Sequence, residues 1–181
     1  MYRTLISASW LLALFGQSQG QLSTSPDLKH CDIDGCRFAT VQNQKELGRN
    51  RVGRLLELDL LKGEADFDEA TGKLSEAIDW YDRPGKVWVF CSSLYPAVMI
   101  EEPPGLHVTI LDFGDFGVGS SYLSHAKVLL YACNLIRSSE PTSKITRQLG
   151  YRERPNDSQE IEALVKKPAD ILELTKDKMP R

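Results

Sequence analysis

The chain has 181 residues, of which 41% are hydrophobic and 26% are charged, and its formal net charge at pH 7 is −3. This composition is typical of a folded domain and excludes a disordered or low-complexity chain. Because the charge balance is slightly acidic, we expect no nucleic-acid partner.

The first predicted element is an export signal over residues 1–20. Arg3 gives this segment a basic start, and a mostly apolar run from Thr4 to Gly16 follows. The small residues Ser18 and Gly20 then form a typical cleavage site, so we expect a secreted or periplasmic protein. The apolar run is shorter than the about 20 residues of a membrane span, and we expect no stable span after cleavage.

Four cysteines follow the predicted signal peptide. Disulfides are the expected state of an even number of cysteines in an exported chain. Three pairings are possible, and the spacing favours Cys31 with Cys36, across an Asp-Gly turn, and Cys91 with Cys133. The alternative is a metal site that includes His30, Cys31 and Cys36, but the gap between these cysteines is wider than zinc sites use. We therefore expect no metal and no cofactor.

The segment from Thr40 to Leu61 is rich in leucine and other helix formers, which predicts one long helix or two shorter ones. Its basic residues would lie near one side of such a helix: Lys45, Arg49 and either Arg51 or Arg54. This side is a candidate anion-binding face. A solvated face is the simpler interpretation, because acidic residues are interspersed.

A further helix is predicted from Asp66 or Asp68, either of which suits an N-cap, to about Tyr81. Apolar residues recur in this segment at intervals of three and four, which is the helical period. The sequence Arg-Pro-Gly at residues 83–85 then predicts a turn.

Three strands of a short antiparallel sheet are predicted next. The run Val87–Phe90 is apolar on both alternating faces, which indicates a central strand buried on both sides. Strands are also predicted at Ala97–Ile100 and Leu106–Phe113, and the short turns between them favour a meander. A helix from Ser120 or Ser121 to about Ile136 would pack across this sheet.

These elements predict a single α+β domain over residues 21–137. It would contain a short antiparallel sheet of about three strands, packed with two to four helices and stabilised by disulfides. Charged residues become frequent after Arg137, and residues 138–181 are predicted to form a loosely attached, partly helical tail. An amphipathic helix at Ser158–Lys167 would either fold back onto the domain or dock on a partner.

The main candidate for chemistry is the glycine-rich loop that precedes the long helix. Free backbone N–H groups and the positive end of the helix dipole can hold an anion there. The candidate anion-binding residues are Gly117, Gly119, Ser120 and Ser121. Their spacing matches neither a Walker nor a Rossmann loop, and an ordinary turn with a serine cap is the simpler interpretation. A hydrolase would use one of these serines with His125 or His107 as its base.

Three short motifs resemble small exported bacterial proteins of uncharacterised function: Val87–Ser92, Pro96–Val98 and Tyr131–Cys133. The resemblance covers about residues 31–135 and implies a periplasmic setting. It implies no activity, ligand or catalytic residue, and the charged tail lies outside it.

The motifs together favour a secreted or periplasmic binding or envelope-associated module that is not an enzyme, because no intact catalytic or cofactor motif is present. Its partner would be another protein or an envelope component. The alternative is a small hydrolase or an anion-binding protein that uses the Gly114–Ser121 loop. A third interpretation is a protein inhibitor that exposes the turn Leu94–Pro96.

Overall fold

A computed structural model describes residues 26–32, 35–68, 70–114, 122–137 and 141–178. The strands in these ranges are β1 (Leu28–Cys31), β2 (Gly35–Arg49), β3 (Gly53–Asp66), β4 (Asp79–Trp80), β5 (Gly85–Ser92), β6 (Ala97–Glu102) and β7 (Gly105–Ile110). The helices are α1 (Leu123–Asn134), α2 (Ser143–Gln148), α3 (Ser158–Leu164) and α4 (Asp170–Thr175).

The strands form one sheet in the order β1-β2-β3-β5-β6-β7, and all pairings are antiparallel. Strand β4 pairs with β3 at Gly63 and Glu64, beyond the part of β3 that pairs with β5. Strands β2 and β3 form the longest hairpin, and its turn lies between Arg49 and Gly53.

The prediction of a short sheet of about three strands is wrong, because the described residues form a sheet of seven strands. The segment predicted as one or two helices, Thr40–Leu61, is the hairpin of β2 and β3. Its leucines at 56, 58 and 60 alternate with Glu57 and Asp59, which is the period of a strand with one face buried. Leucine favours helices only weakly, and pairing with β2 and β5 overrides that preference.

The helix predicted from Asp66 or Asp68 to Tyr81 is also wrong. Strand β3 continues to Asp66, and the chain then makes a turn and returns as β4. The side chain of Asp68 accepts hydrogen bonds from the backbone N–H groups of Ala70 and Thr71, which resembles the start of a helix. Gly72 follows with φ of +62°, a left-handed conformation that ends any helix there.

The meander of β5, β6 and β7 and the helix α1 occur where the sequence predicts them. The apolar run of β5 is buried on both sides of the sheet. Val87 and Val89 belong to the core beneath α1, whereas Trp88 and Phe90 belong to the core that includes Ile171 of α4. The sheet is therefore covered by helices on both faces.

The C-terminal segment is packed onto the domain and is not loosely attached. Ile161, Val165 and Ile171 are buried against the face of the sheet opposite α1. Most of its charged residues are exposed, because the helices α3 and α4 bury only one side each. The amphipathic helix thus folds back onto the domain.

Two disulfides hold the fold, and they are the pairing that the spacing favours. Cys31 bonds to Cys36 and joins β1 to β2, and Cys91 bonds to Cys133 and joins β5 to α1. Disulfides persist in oxidising compartments, so these two bonds indicate a protein that works outside the reducing cytosol.

Candidate functional site

A cleft of about 300 Å³ lies between the N-terminal half of α1 and the sheet, and we call it the α1 cleft. Its volume is near the lower end of the range of about 300–1,000 Å³ found for small-molecule sites. Strands β1, β2, β3, β5 and β6 supply one wall, and Ser124, His125, Lys127 and Val128 of α1 supply the other. Ser124, Lys127 and Val128 share a helix face because they are three and four residues apart.

The floor of the α1 cleft is apolar. Alternate residues of each strand point to the α1 side of the sheet, and they bring aliphatic side chains together from five strands. The aliphatic lining residues of the strands are Leu28, Ala39, Leu60, Val87, Val98 and Ile100, and the lining also includes Val128 of α1 and the aromatic residues Phe38 and Tyr81. An apolar ligand seated here would be removed from water on one side.

The rim of the α1 cleft is positively charged. Four basic residues line it, Lys29, Arg37, Lys62 and Lys127, and two acidic residues, Glu64 and Glu102. Two of the cations have other contacts: Arg37 lies 3.9 Å from an Asp32 carboxylate oxygen, and Lys29 lies 5.6 Å from the ring centre of Phe38. The site is thus basic in a chain whose overall charge is negative.

Lys127 is the unusual residue of the α1 cleft, because only 9% of it is exposed. Its Nζ donates a hydrogen bond of 2.9 Å to the backbone carbonyl oxygen of Lys29. No carboxylate in the described part of the chain forms an ion pair with it. A buried ammonium normally has a counter-charge, since burying an unpaired charge costs several kcal/mol.

His125 is another titratable residue that α1 contributes to the lining of the cleft. Burial lowers its pKa, nearby His107 and Lys62 lower it further, and Glu102 opposes them. Its Nδ1 is buried and has no hydrogen-bond partner among the described residues. The imidazole is therefore neutral at pH 7 and adds no charge to the rim.

One of the predicted anion-binding and catalytic residues lines this cleft, and the others lie elsewhere or outside the described residues. Gly117, Gly119, Ser120 and Ser121 lie outside the described residues, as does the predicted signal peptide. His125 lines the cleft, and His107 is on the exposed end of β7.

The structure also contradicts two other hypotheses, the metal site at His30, Cys31 and Cys36 and the exposed inhibitor loop. Cys31 and Cys36 are bonded to each other, so they offer His30 no thiolate partners for a metal. Within the described ranges, no group of three or more His, Cys, Asp or Glu residues is arranged to hold a metal ion. The turn Leu94–Pro96 is not an exposed inhibitor loop at its centre, because Tyr95 is buried and its hydroxyl donates to Asp157.

The sequence interpretation missed Lys127 and the apolar floor. The available signal was a lysine inside a helix that is apolar on both sides, at a position where its charge would have to be buried. The floor had no signal of its own, because its residues come from five separate strands.

The fold and the cleft define a class: a disulfide-bonded antiparallel sheet that is covered by helices on both faces and has a half-enclosed, cation-rimmed cleft. No family model, curated protein or solved structure matches this chain. None of the helices within the described ranges has the length and apolarity needed to cross a bilayer.

Proposed function

We propose that the protein is a secreted or periplasmic binding module that holds a small amphipathic carboxylate in the α1 cleft. Lys127 carries this proposal, because it is a largely buried lysine without a carboxylate partner among the described residues, placed beside an apolar floor. A ligand carboxylate would supply the missing counter-charge, and its hydrocarbon part would cover the floor. A charge-assisted hydrogen bond of this kind contributes about 1.5–3 kcal/mol.

The test is calorimetric titration of the full exported chain with octanoate, and with 1-octanol as a ligand of similar shape without charge. Wild-type protein is expected to bind octanoate more tightly than 1-octanol. Lys127→Met keeps the length of the side chain and removes the charge, so it should weaken octanoate binding by about 10- to 100-fold and leave 1-octanol binding unchanged.

The matched control is Lys73→Met, which removes the same charge from an exposed loop outside the cleft. It should bind octanoate like the wild type. The proposal fails if the wild type does not bind octanoate, or if Lys127→Met and Lys73→Met change its affinity equally.

A hydrolase is the second candidate. It is favoured by His125 in the same cleft, because burial lowers the pKa of this histidine and its Nδ1 has no hydrogen-bond partner among the described residues. A hydrolase that used this histidine as a base should cleave p-nitrophenyl octanoate faster than buffer does, and His125→Gln should abolish that rate. Octanoate binding without any hydrolysis would leave the binding module as the function. Hydrolysis that depends on His125 would replace it.

A further inference from the structure

A second cleft, of about 410 Å³, lies at the other end of α1, and we call it the arginine cleft. The β2–β3 turn supplies Arg49, Arg51 and Arg54 to one wall. Ser93, Asn134 and Tyr151 also line the cleft, next to the disulfide of Cys91 and Cys133. Among the described residues, the two clefts share no lining residue, and α1, about 18 Å long at 1.5 Å per residue, runs between them.

The turn that carries the arginines is held in place by Asn50. Its Oδ1 accepts hydrogen bonds from the backbone N–H groups of Val52 and Gly53. Its Nδ2 donates to the carbonyl oxygen of Leu172 and to Oγ1 of Thr175 in α4. The arginines therefore start from a backbone that is already ordered, which lowers the entropy lost when a ligand binds.

The positive charge of the arginine cleft is only partly compensated. Arg49 is paired with Glu46 through two hydrogen bonds of 2.7 and 2.8 Å. Arg54 makes one long contact, 3.5 Å from its Nη2 to the carbonyl oxygen of Cys133, and Arg51 has no ion pair in the described part of the chain. No Asp or Glu from the described ranges lines the cleft.

Other lining residues offer hydrogen-bond donors. Ser93 is exposed in the lining, and its hydroxyl can donate a hydrogen bond. Oδ1 of Asn134 accepts from the hydroxyl of Tyr151 at 2.8 Å, which leaves the amide Nδ2 as a donor. Arg54 also offsets the negative end of the α1 dipole, which would otherwise repel an anion here.

From this arrangement we infer that the arginine cleft binds a phosphate group, with Arg51 and Arg54 as its principal ligands. A planar guanidinium matches two phosphate oxygens at once, and hydroxyl and amide donors complete the set. The cleft has room beside the phosphate for the organic part of a monoester, so a phosphomonoester and free phosphate are the two sources of this chemistry.

The test is calorimetric titration of the full chain at pH 7.5 and low salt with inorganic phosphate, with glycerol 3-phosphate, and with acetate as a singly charged control. Wild-type protein is expected to bind at least one of the phosphates and to bind acetate at least tenfold more weakly. Arg51→Gln should weaken phosphate binding about tenfold, and Arg51→Lys should restore only part of it, because lysine lacks the two-pronged geometry.

The matched control is Arg83→Gln, which removes one guanidinium from an exposed turn outside this lining. It should bind phosphate like the wild type. Tighter binding of glycerol 3-phosphate than of phosphate identifies a monoester site, and the reverse identifies a free-phosphate site. The inference is overturned if the wild type binds neither phosphate, or if Arg51→Gln and Arg83→Gln lose equal affinity. Octanoate binding by Arg51→Gln stays unchanged, so this result does not depend on the α1 cleft.

Discussion

Gly53 shows how one residue controls the packing of the central strands. It is the first residue of β3, opposite Ser92 of β5. A Cβ atom added there would lie 2.6 Å from the carbonyl oxygen of Cys91 and 2.9 Å from Cζ of Phe90. The first of these atoms is backbone and cannot rotate away. The close approach of β3 to β5, and with it the position of the arginine-bearing turn, therefore requires a residue without a side chain.

We expect Gly53→Ala to destabilise the protein by about 1–3 kcal/mol, the usual cost of forcing extra volume into a packed region. Urea denaturation measures this change in the free energy of unfolding. Gly85→Ala is the matched control, because a Cβ at Gly85 meets no atom of the described residues within 4 Å. Its effect should stay within about 0.5 kcal/mol. Equal effects of the two substitutions would contradict the packing argument.

At the scale of elements, α3 and α4 have seven and six residues, which is too short for a helix that is stable by itself. Polar contacts tie them to the sheet in addition to their buried side chains. Glu162 of α3 accepts the N–H of Ile110 on the edge strand β7 and pairs with Arg154 at 2.7 Å. Asp157, which precedes α3, accepts from the hydroxyl of Tyr95 and pairs with Lys178.

The Asp157 contacts predict a pH dependence of stability. The hydrogen bond from Lys178 lowers the pKa of Asp157, and this is the largest effect on it. Burial raises the pKa by a smaller amount, and the hydrogen bond from Tyr95 lowers it further. A carboxyl group with a lowered pKa in the folded state adds stability above its ordinary pKa of about 4, and this stability is lost as the pH falls through the lowered value.

We therefore expect wild-type protein to lose more stability between pH 5 and pH 2 than Asp157→Asn does, measured by urea denaturation at each pH. Other carboxyl groups also have lowered pKa values, so the difference between the two proteins isolates Asp157. Asp82→Asn, in an exposed turn, should follow the wild-type curve. Parallel curves for wild type and Asp157→Asn would show that the contact carries no stability.

For the molecule as a whole, the two disulfides close loops of very different length. Cys91 and Cys133 are 42 positions apart and join the central strand β5 to the helix that covers it. Cys31 and Cys36 are 5 positions apart and join adjacent strands at one edge of the sheet. In the chain-entropy description, a crosslink that closes a longer loop removes more freedom from the unfolded chain.

Replacing both Cys91 and Cys133 by Ser should cost about 4 kcal/mol of unfolding free energy, and replacing both Cys31 and Cys36 by Ser about 2 kcal/mol. The Cys31 and Cys36 variant is the control, because it also lacks one disulfide but opens only the short loop. Urea denaturation of the two double variants, both with the other disulfide intact, gives the comparison. A larger loss from the short loop would contradict the entropic account.

The meander of β5, β6 and β7 and the helix α1 could be predicted from the sequence, because each has a clear apolar pattern. The short spacing of Cys31 and Cys36 also favoured the observed disulfide pairing over the two other possible ones. It also contained the alternation of leucines with Glu57 and Asp59, but leucine is common in helices, and a period of two over so few residues does not exclude them. The strand was decided by its hydrogen-bonded neighbours β2 and β5.

The two clefts could not be predicted from the sequence, because they form only where distant segments meet in the folded chain. Lys127 is buried because β1 passes beside α1, and Arg51 and Arg54 face Tyr151 because the β2–β3 turn reaches the C-terminal end of the same helix. These residues are far apart in the chain, and no local sequence pattern predicts that they lie close together. Burial of the apolar faces of the sheet supplies the free energy that brings these segments together. The positions of the polar groups follow from that packing and do not depend on what the groups bind.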